Sequence, residues 1–310
     1  MSAPYYDIIG DVHGHATLLK KLLKELGYAV VGGVWKHPQR KAIFIGDFIN
    51  RGPEIRETIQ IVRSMQEAGT ALAILGNHEY SAILYYIKDS KGVYLSKHIA
   101  GNRNQIQSTI TAFFTREEEW RDHRKWLRTL PLYLDLKEIR IVHAYWNNSD
   151  LDYLKGFIPA GRLKKDFLRT IHEKQHSSAN IILRILKGLD FKCPSDLILK
   201  CSEGLSRKSF RMNWWESPLN KTFRSLAFGN KFTLPEYTVP RELAPSFKPY
   251  DLNEPPVFVG HYNLSEGASV MQENICCVDS GVVGNEILSA YRWSGETKLS
   301  AANIVSVSAD

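Results

Sequence analysis

The chain has 310 residues, of which 44% are hydrophobic and 24% are charged, as in an ordinary soluble globular protein. No apolar run approaches the length that a bilayer span requires, and a motif already at residue 11 leaves no room for a usual signal peptide. These absences predict a cytoplasmic protein without a membrane partner. The net charge of +7 permits a polyanionic partner, but without a zinc-finger, RNA-recognition or helix-turn-helix pattern it does not favour nucleic acid.

The first part of the chain alternates strands and helices. Apolar runs at 6–9, 42–45 and 71–75 predict buried strands, and apolar stripes at 16–26 and 55–66 predict amphipathic helices. Repeated strand, loop and helix units favour an α/β fold with a largely parallel sheet. In such folds, ligands bind beyond the carboxyl ends of the strands.

The pattern changes twice in the rest of the chain. Residues 79–130 are predicted to be mainly helical, up to Pro131, and residues 144–250 mix helix with loop. Strands are predicted again at 257–260, 274–279, 288–293 and 304–308. We interpret 1–310 as a single domain and 144–250 as an insertion within it.

Three short polar motifs each follow one of the first three predicted strands. They are Gly10-Asp11-Val12-His13-Gly14, Gly46-Asp47-Phe48-Ile49-Asn50-Arg51-Gly52 and Gly76-Asn77-His78-Glu79. Together they supply two aspartates, two histidines and two asparagines. Carboxylate, imidazole and amide ligands suit divalent ions such as manganese, iron or zinc, so the motifs predict a metal site.

Two further motifs complete a family pattern. His143 follows an apolar run at 139–142, and Gly260-His261 follows the run that begins at residue 257. The five motifs, in this order, resemble the calcineurin-like metallophosphoesterase superfamily over roughly residues 5–143 and 255–295. Within it, the Arg-Gly pair after the second aspartate and the Gly-Asn-His-Glu motif resemble the phosphoprotein phosphatase (serine/threonine phosphatase-like) branch of bacterial type.

The resemblance implies a fold and a metal centre. The fold is a four-layer α/β/β/α sandwich with two central mixed sheets, and the 144–250 insertion would form a cap over the metal face that shapes the substrate site. The cofactors would be two divalent ions, with Mn²⁺ expected and iron or zinc as alternatives. By the same resemblance, Asp47 bridges both ions. The other implied ligands are Asp11 and His13 for the first ion, and Asn77, His143 and His261 for the second.

The resemblance also implies catalytic residues. Arg51 matches the arginine that binds the phosphate, and His78 matches the general acid that protonates the leaving oxygen. Asn50 stands where the phosphoprotein phosphatases have aspartate. An amide can accept a hydrogen bond from the imidazole but supplies no negative charge to stabilise an imidazolium, which suits phosphoanhydrides or aryl phosphates better than serine phosphates. Arg211 is a candidate second phosphate-binding arginine.

Two neighbours of these residues are predicted to be structural. Glu79 is expected to pair with the adjacent loop, and Asp279 is expected to fix the loop that carries His261. Neither is expected to bind metal.

The implied function is a two-metal phosphohydrolase that cleaves phosphomonoester or phosphoanhydride bonds through attack by a metal-bound hydroxide. Phosphoproteins and nucleotide polyphosphates, including dinucleoside polyphosphates such as diadenosine tetraphosphate, remain open as substrates. A phosphodiesterase or nuclease on the same site is a second class. Nuclease relatives tend to end with a Gly-His-x-His motif, whereas residues 260–263 here read Gly-His-Tyr-Asn. A non-catalytic scaffold is a third class, which the intact ligand series disfavours.

Overall fold

The computed structural model describes the chain in ranges, which are 5–158, 162–194, 199–200, 206–229 and 232–309. The chain forms two compact units, one comprising Met1–Leu186 with Pro255–Asp310 and the other comprising Lys187–Glu254. The predicted insertion at 144–250 therefore includes a segment of each unit, and its assignment as an insertion stays a prediction.

The strands are β1 (Tyr5–Ile9), β2 (Ala29–Val31), β3 (Val34–Lys36), β4 (Arg40–Phe44), β5 (Ala71–Ala73), β6 (Tyr133–Asp135), β7 (Arg140–Val142), β8 (Asp190–Lys192), β9 (Leu199–Lys200), β10 (Ser206–Arg207), β11 (Ser209–Arg211), β12 (Val257–Val259), β13 (Ser269–Gln272), β14 (Ile275–Cys277), β15 (Ile287–Trp293) and β16 (Ile304–Ser308). The helices are α1 (Ala16–Glu25), α2 (Ile55–Glu67), α3 (Asn77–Tyr85), α4 (Ala100–Gln105), α5 (Gln107–Ala112), α6 (Glu117–Leu127), α7 (Asn148–Lys155), α8 (Lys165–Glu173), α9 (Ser177–Lys187), α10 (Phe223–Leu226) and α11 (Val282–Asn285).

Two mixed five-stranded sheets organise the first unit. The first has the order β16-β15-β1-β4-β5, with β1, β4 and β5 parallel and the other pairs antiparallel. The second has the order β13-β14-β12-β7-β6, with β7, β12 and β14 parallel. The predicted α/β class with mixed sheets is confirmed. The four-layer stacking stays a prediction.

One apolar core joins the two sheets. Ile8 and Ile43 of the first sheet belong to the same buried cluster as Ile141 and Phe258 of the second. Helix α1 packs on β15 and β16, and α2 packs on β5, so the apolar faces of these helices cover the first sheet. The predicted apolar stripes of both helices are thus explained by burial against strands.

Two local features differ from the sequence-based expectation. Strands β2 and β3 form a hairpin that was not predicted, although Gly32 and Gly33, with φ of 62° and 80°, are the residues that a two-residue hairpin turn requires. The predicted helical region 79–130 is divided into α3 to α6. It is interrupted after α3, where the Asp89 carboxylate accepts the backbone N–H groups of Lys91 and Val93 at 2.9 and 2.7 Å, which favours a turn over a helix.

The second unit contains two two-stranded ladders, β8 with β11 and β9 with β10. Phe191 and Phe210 stack across the first ladder and join a separate apolar cluster with Phe223. Among the helices of the described ranges, none combines the length and the apolar character that crossing a membrane requires.

A buried ion cluster holds the start of β1. The fully buried Asp7 carboxylate accepts hydrogen bonds from Arg40 Nε at 2.8 Å, Arg292 Nε at 3.2 Å and Tyr28 Oη at 3.1 Å. We expect Asp7→Ala to lower the free energy of unfolding by about 3–5 kcal/mol, because it leaves a buried guanidinium without its counter-ion. Urea denaturation of the metal-loaded protein measures this loss.

The matched control for this prediction is Asp152→Ala. Asp152 pairs with Lys155 at 2.8 Å, but both side chains are more than half exposed, so the loss should stay below about 1 kcal/mol. Equal losses in the two variants would show that burial does not set the strength of the Asp7 cluster.

Candidate metal centre

The predicted ligands lie at the ends of strands in both sheets. Asp11 and His13 follow β1, Asp47 follows β4, and Asn77 is the first residue of α3, which comes after β5. In the second sheet, His143 directly follows β7 and His261 comes two residues after β12. Because parallel strands end at the same edge of a sheet, these loops meet at one place.

Several of these loop residues have a left-handed backbone. The φ angles are 43° for His13, 53° for Asp47, 67° for Asn50, 69° for Arg51 and 68° for His261. A side chain in this region costs about 1–2 kcal/mol per residue. Such conformations concentrate at functional sites, where the surrounding structure holds them.

Asp47 is the centre of the cluster. Its Oδ2 lies 3.6 Å from His13 Nε2, 3.4 Å from His143 Nε2 and 3.9 Å from His78 Nε2. Two groups of side chains have ligand atoms within 4.8 Å of one another, namely His13, Asp47 and His78, and Asp47, His143 and His261. Asp47 is common to both groups, which is the arrangement that a bridging ligand needs.

The histidine rings are oriented by backbone carbonyls. His13 Nδ1 donates to Ile49 O at 3.0 Å, and His143 Nδ1 donates to Ile45 O at 2.8 Å. Each Nε2 faces Asp47, and in the neutral ring with its hydrogen on Nδ1 this nitrogen carries the lone pair that a metal ligand requires. His261 instead directs its Nδ1 into the cluster.

Asn77 links the two histidines of the second group. Its Oδ1 lies 2.6 Å from His261 Nδ1 and 3.1 Å from His143 Nε2. An amide oxygen between two imidazole nitrogens is a donor set that suits a divalent ion.

Asp11 provides the test of whether a cation fits. Its Oδ2 accepts the backbone N–H of His261 at 3.0 Å. Its Oδ1 is buried and has no hydrogen-bond partner within the part of the chain that the structure describes. A buried carboxylate oxygen without a donor is costly, and a bound cation would satisfy it.

The electrostatics of the cluster also favour a cation. Burial raises the pKa of Asp11 well above its usual value, and the charges of Asp279 and Asp47 add to this effect. Burial disfavours a charged His143, yet the Asp47 and Asp11 carboxylates raise its pKa to about 10. Burial lowers the pKa of His13 to about 3, which keeps that imidazole neutral and able to bind metal.

Glu79 holds two of the loops together, as predicted. Its buried carboxylate accepts the backbone N–H groups of Asp47 and Phe48, both at 2.8 Å, and that of Gly76 at 3.0 Å. A Cβ at residue 76 would collide with the Asp47 carboxylate, so only glycine allows this approach. Glu79 therefore positions Asp47 without facing the ligand atoms.

Asp279 fixes the loop after His261, also as predicted. Its carboxylate accepts the backbone N–H of Asn263 at 2.6 Å and that of Gly281 at 3.0 Å. A Cβ at Gly260 would strike Oδ1 of Asp11, so the glycine lets this loop approach the first one.

The predicted catalytic residues lie beside Asp47. The backbone N–H of His78 donates to Asp47 Oδ1 at 2.9 Å. Arg51 is exposed, and its Nη2 lies 3.4 Å from His78 Nε2. Asn50 contacts His78 as expected, but through Nδ2, which lies 2.8 Å from His78 Nδ1.

In the structure the amide therefore donates to the imidazole, which is the opposite of the direction considered from the sequence. The cause is Thr109, whose hydroxyl donates to Asn50 Oδ1 at 2.6 Å and occupies the oxygen. No motif in the sequence points to Thr109, which lies in α5, 59 residues away from Asn50.

Arg211 belongs to the second unit. Its Nε donates to Asp190 Oδ1 at 2.7 Å, across the ladder of β8 and β11. Its role as a second phosphate-binding arginine stays a proposal.

The fold and the cluster together define an α/β protein with a group of potential metal ligands beyond its strand ends. The family model of the calcineurin-like phosphoesterases matches residues 6–193, which is more than half of the chain. The chain therefore belongs to the calcineurin-like phosphoesterase family, and the recognition made from its motifs is confirmed.

Curated relatives share this part of the chain. An asymmetrical bis(5'-nucleosyl)-tetraphosphatase PrpE of Oceanobacillus iheyensis is 30% identical over 145 residues, which cover 45% of this chain and 54% of the relative. The protein of the same name from Halalkalibacterium halodurans is 30% identical over 154 residues, which cover 47% and 59%. The chain thus spans about half the length of the curated relatives it matches.

Solved structures share the fold. The cold-active protein-tyrosine phosphatase of a psychrophilic Shewanella species is 14% identical, with a TM-score of 0.51, and the match covers 95% of this chain and 80% of that one. A mutant cold-active protein tyrosine phosphatase gives a TM-score of 0.54 at the same identity and coverage. At this identity the likeness supports the fold alone.

Proposed function

We propose that this chain is a two-metal phosphohydrolase that cleaves phosphate ester or anhydride bonds. The observation that carries the proposal is the position of Asp47, whose carboxylate is shared by two groups of ligand atoms. Two bound ions would polarise the phosphoryl group and activate a water molecule for in-line displacement.

The ligand set divides between the two ions. Asp47 would bridge them. Its partners would be Asp11 and His13 at the first ion, and Asn77, His143 and His261 at the second. The mixture of carboxylate, imidazole and amide oxygen suits Mn²⁺, with iron or zinc as alternatives.

Two side chains are available to act on the substrate. Arg51 is exposed beside His78 and would bind two phosphoryl oxygens with its planar fork. His78 directs Nε2 toward the same space as Asp47 Oδ2 and would assist departure of the leaving oxygen.

Dinucleoside polyphosphates are the substrate class that we favour. The relatives named bis(5'-nucleosyl)-tetraphosphatase support it. The donating amide of Asn50 supports it independently, because a donor at Nδ1 does not stabilise an imidazolium. A phosphoanhydride releases a stabilised anion and needs little protonation, whereas a serine alkoxide needs more, so phosphoproteins are the second candidate.

A nuclease is less well supported. The residue after His261 is the buried Tyr262, whose hydroxyl donates to Ala144 O at 2.8 Å. Asn263, where nuclease relatives have histidine, is held through its backbone N–H by Asp279. The Tyr262 hydroxyl is thus engaged by a backbone carbonyl, and residue 263 offers an amide where the nuclease motif has an imidazole.

A hydrolysis screen with added Mn²⁺ tests the proposal. The substrates are diadenosine tetraphosphate, a phosphoserine peptide, p-nitrophenyl phosphate and bis-p-nitrophenyl phosphate. We expect the highest kcat/KM with diadenosine tetraphosphate. Asp47→Asn protein, purified in the same way, should be inactive, which would exclude a contaminating enzyme as the source of the activity. Preferential cleavage of the diester would point to a phosphodiesterase, and no turnover of any substrate would contradict the function.

The variant Asn50→Asp tests the partner of His78. A carboxylate accepts from Nδ1 and favours the protonated ring, so cleavage of a phosphoserine peptide should rise roughly tenfold relative to p-nitrophenyl phosphate. The comparison uses saturating metal, because a new charge beside the site changes ion affinity.

The control for this variant is His78→Asn. In that background, Asn50→Asp should not change the cleavage of the phosphoserine peptide relative to p-nitrophenyl phosphate. If the ratio of phosphoserine-peptide cleavage to p-nitrophenyl phosphate cleavage is the same in Asn50→Asp and the wild type, then Asn50 and His78 do not assist departure of the leaving group.

A further inference from the structure

A chain of hydrogen bonds lies behind His78 and starts at the buried Thr109. The backbone N–H of Asn50 donates to Thr109 Oγ1 at 3.2 Å, and the Thr109 hydroxyl lies 2.6 Å from Asn50 Oδ1. The Asn50 Nδ2 then lies 2.8 Å from Nδ1 of His78. Thr109 is 2% exposed and Asn50 is fully buried, so water does not compete for the contacts between these two residues, whereas His78 is half-buried.

The direction of each hydrogen bond follows from the backbone. The N–H of Asn50 can only donate, so it uses one of the two lone pairs of the Thr109 oxygen, and the hydroxyl hydrogen stays available for the Asn50 side chain. The 2.6 Å contact is typical of O–H···O and short for an amide donor, which identifies its partner as Oδ1. The amide must therefore present its NH2 group to His78, and Nδ1 must accept.

This direction sets the tautomer of the ring. A neutral imidazole carries one hydrogen, and with Nδ1 as acceptor that hydrogen is on Nε2. Donation from Arg51 Nη2 to Nε2 would require the opposite tautomer, but that contact is 3.4 Å long and involves an exposed side chain. The bonds of 2.6 and 2.8 Å that the buried Asn50 side chain makes are shorter, so they determine the tautomer of His78.

We propose that Thr109 is a positioning residue that acts through the Asn50 amide to keep the ring hydrogen of His78 on Nε2. There the neutral ring donates a hydrogen bond to the leaving oxygen. No proton is transferred, since the P–O bond breaks to release a phosphate anion that carries the electron pair. This last step rests on the proposed function, whereas the tautomer is a property of the protein itself.

The tautomer is measured by ¹⁵N NMR on protein with labelled histidine, loaded with diamagnetic Zn²⁺. The His78 signals are assigned by their loss in His78→Asn. We expect an unprotonated Nδ1 and a protonated Nε2 in the wild type and in Thr109→Ser, which keeps the hydroxyl. Valine has the shape of threonine without the hydroxyl. In Thr109→Val the Asn50 amide can therefore rotate, and both tautomers of His78 should be populated.

A second variant keeps the test informative if Thr109→Val does not fold. Asn50→Asp can only accept from the ring, so it should place the hydrogen on Nδ1. Hydrolysis of diadenosine tetraphosphate should fall roughly tenfold in Thr109→Val and stay near the wild-type rate in Thr109→Ser.

A wild-type spectrum that shows the ring hydrogen of His78 on Nδ1 would overturn the proposal. A spectrum of Thr109→Val or Asn50→Asp identical to that of the wild type would also overturn it. The expected tautomers in a protein that hydrolyses none of the substrates would contradict the proposed function and leave the role of Thr109 intact.

Discussion

Asp47→Asn is expected to reduce hydrolysis by roughly a thousandfold or more and to lower the metal content to one ion per chain or fewer, because the carboxylate would contact both ions. The amide has nearly the same shape but no charge and one oxygen fewer. It also cannot accept at both positions, so the bond from His78 N–H to Oδ1 and the contacts of Oδ2 with His13 and His143 compete for a single oxygen. Elemental analysis after dialysis, combined with steady-state rates, measures both effects.

Asp152→Asn is the matched control for Asp47→Asn. Asp152 is an exposed aspartate that pairs with Lys155, and its substitution should leave the metal content and the rate unchanged. Full metal content and full activity in Asp47→Asn would contradict the assignment of Asp47 as the bridging ligand. Among the described residues, no other residue belongs to both groups of ligand atoms.

Arg51→Ala is expected to weaken phosphate and vanadate inhibition by about 2–3 kcal/mol, or roughly a hundredfold in affinity, with the metal content nearly unchanged. The reason is geometric. Arg51 is exposed and its guanidinium lies beside His78, outside both groups of ligand atoms. Inhibition constants for inorganic phosphate in the metal-loaded protein provide the measurement.

Arg51→Lys separates charge from shape. A lysine keeps the positive charge but loses the planar fork, so we expect it to recover only part of the affinity. Arg116→Ala, which removes an exposed arginine 4.0 Å from Glu119, should have no effect. Phosphate inhibition that is equal in wild type and Arg51→Ala would remove Arg51 from the substrate site.

The position of each proposed ligand could be predicted because each stands next to a strand end in the sequence. Asp11, Asp47, Asn77 and His261 follow apolar runs and glycines, and the structure shows why glycine is needed at two of these places. Gly76 and Gly260 leave space for the carboxylates of Asp47 and Asp11. Local sequence therefore encodes both the ligand and the approach of the neighbouring loop.

The direction of the hydrogen bond between Asn50 and His78 could not be predicted, because it depends on a contact with Thr109 in a distant segment. Asn50 is adjacent to Arg51 in a recognisable motif, whereas Thr109 lies in a polar helical region without any motif. A hydroxyl reverses the direction of one hydrogen bond there, and no pattern in the sequence reports such a reversal. The hairpin of β2 and β3 was different, since Gly32 and Gly33 did signal it.

The number of ions per chain tests the central claim most directly. Metal-stripped protein is titrated with Mn²⁺ by calorimetry, and hydrolysis of diadenosine tetraphosphate is followed at each ratio in the same sample. The two-metal centre built around Asp47 predicts saturation at two ions per chain, with activity that rises as the second ion binds. Saturation at one ion with full activity, or no binding at all, would contradict it.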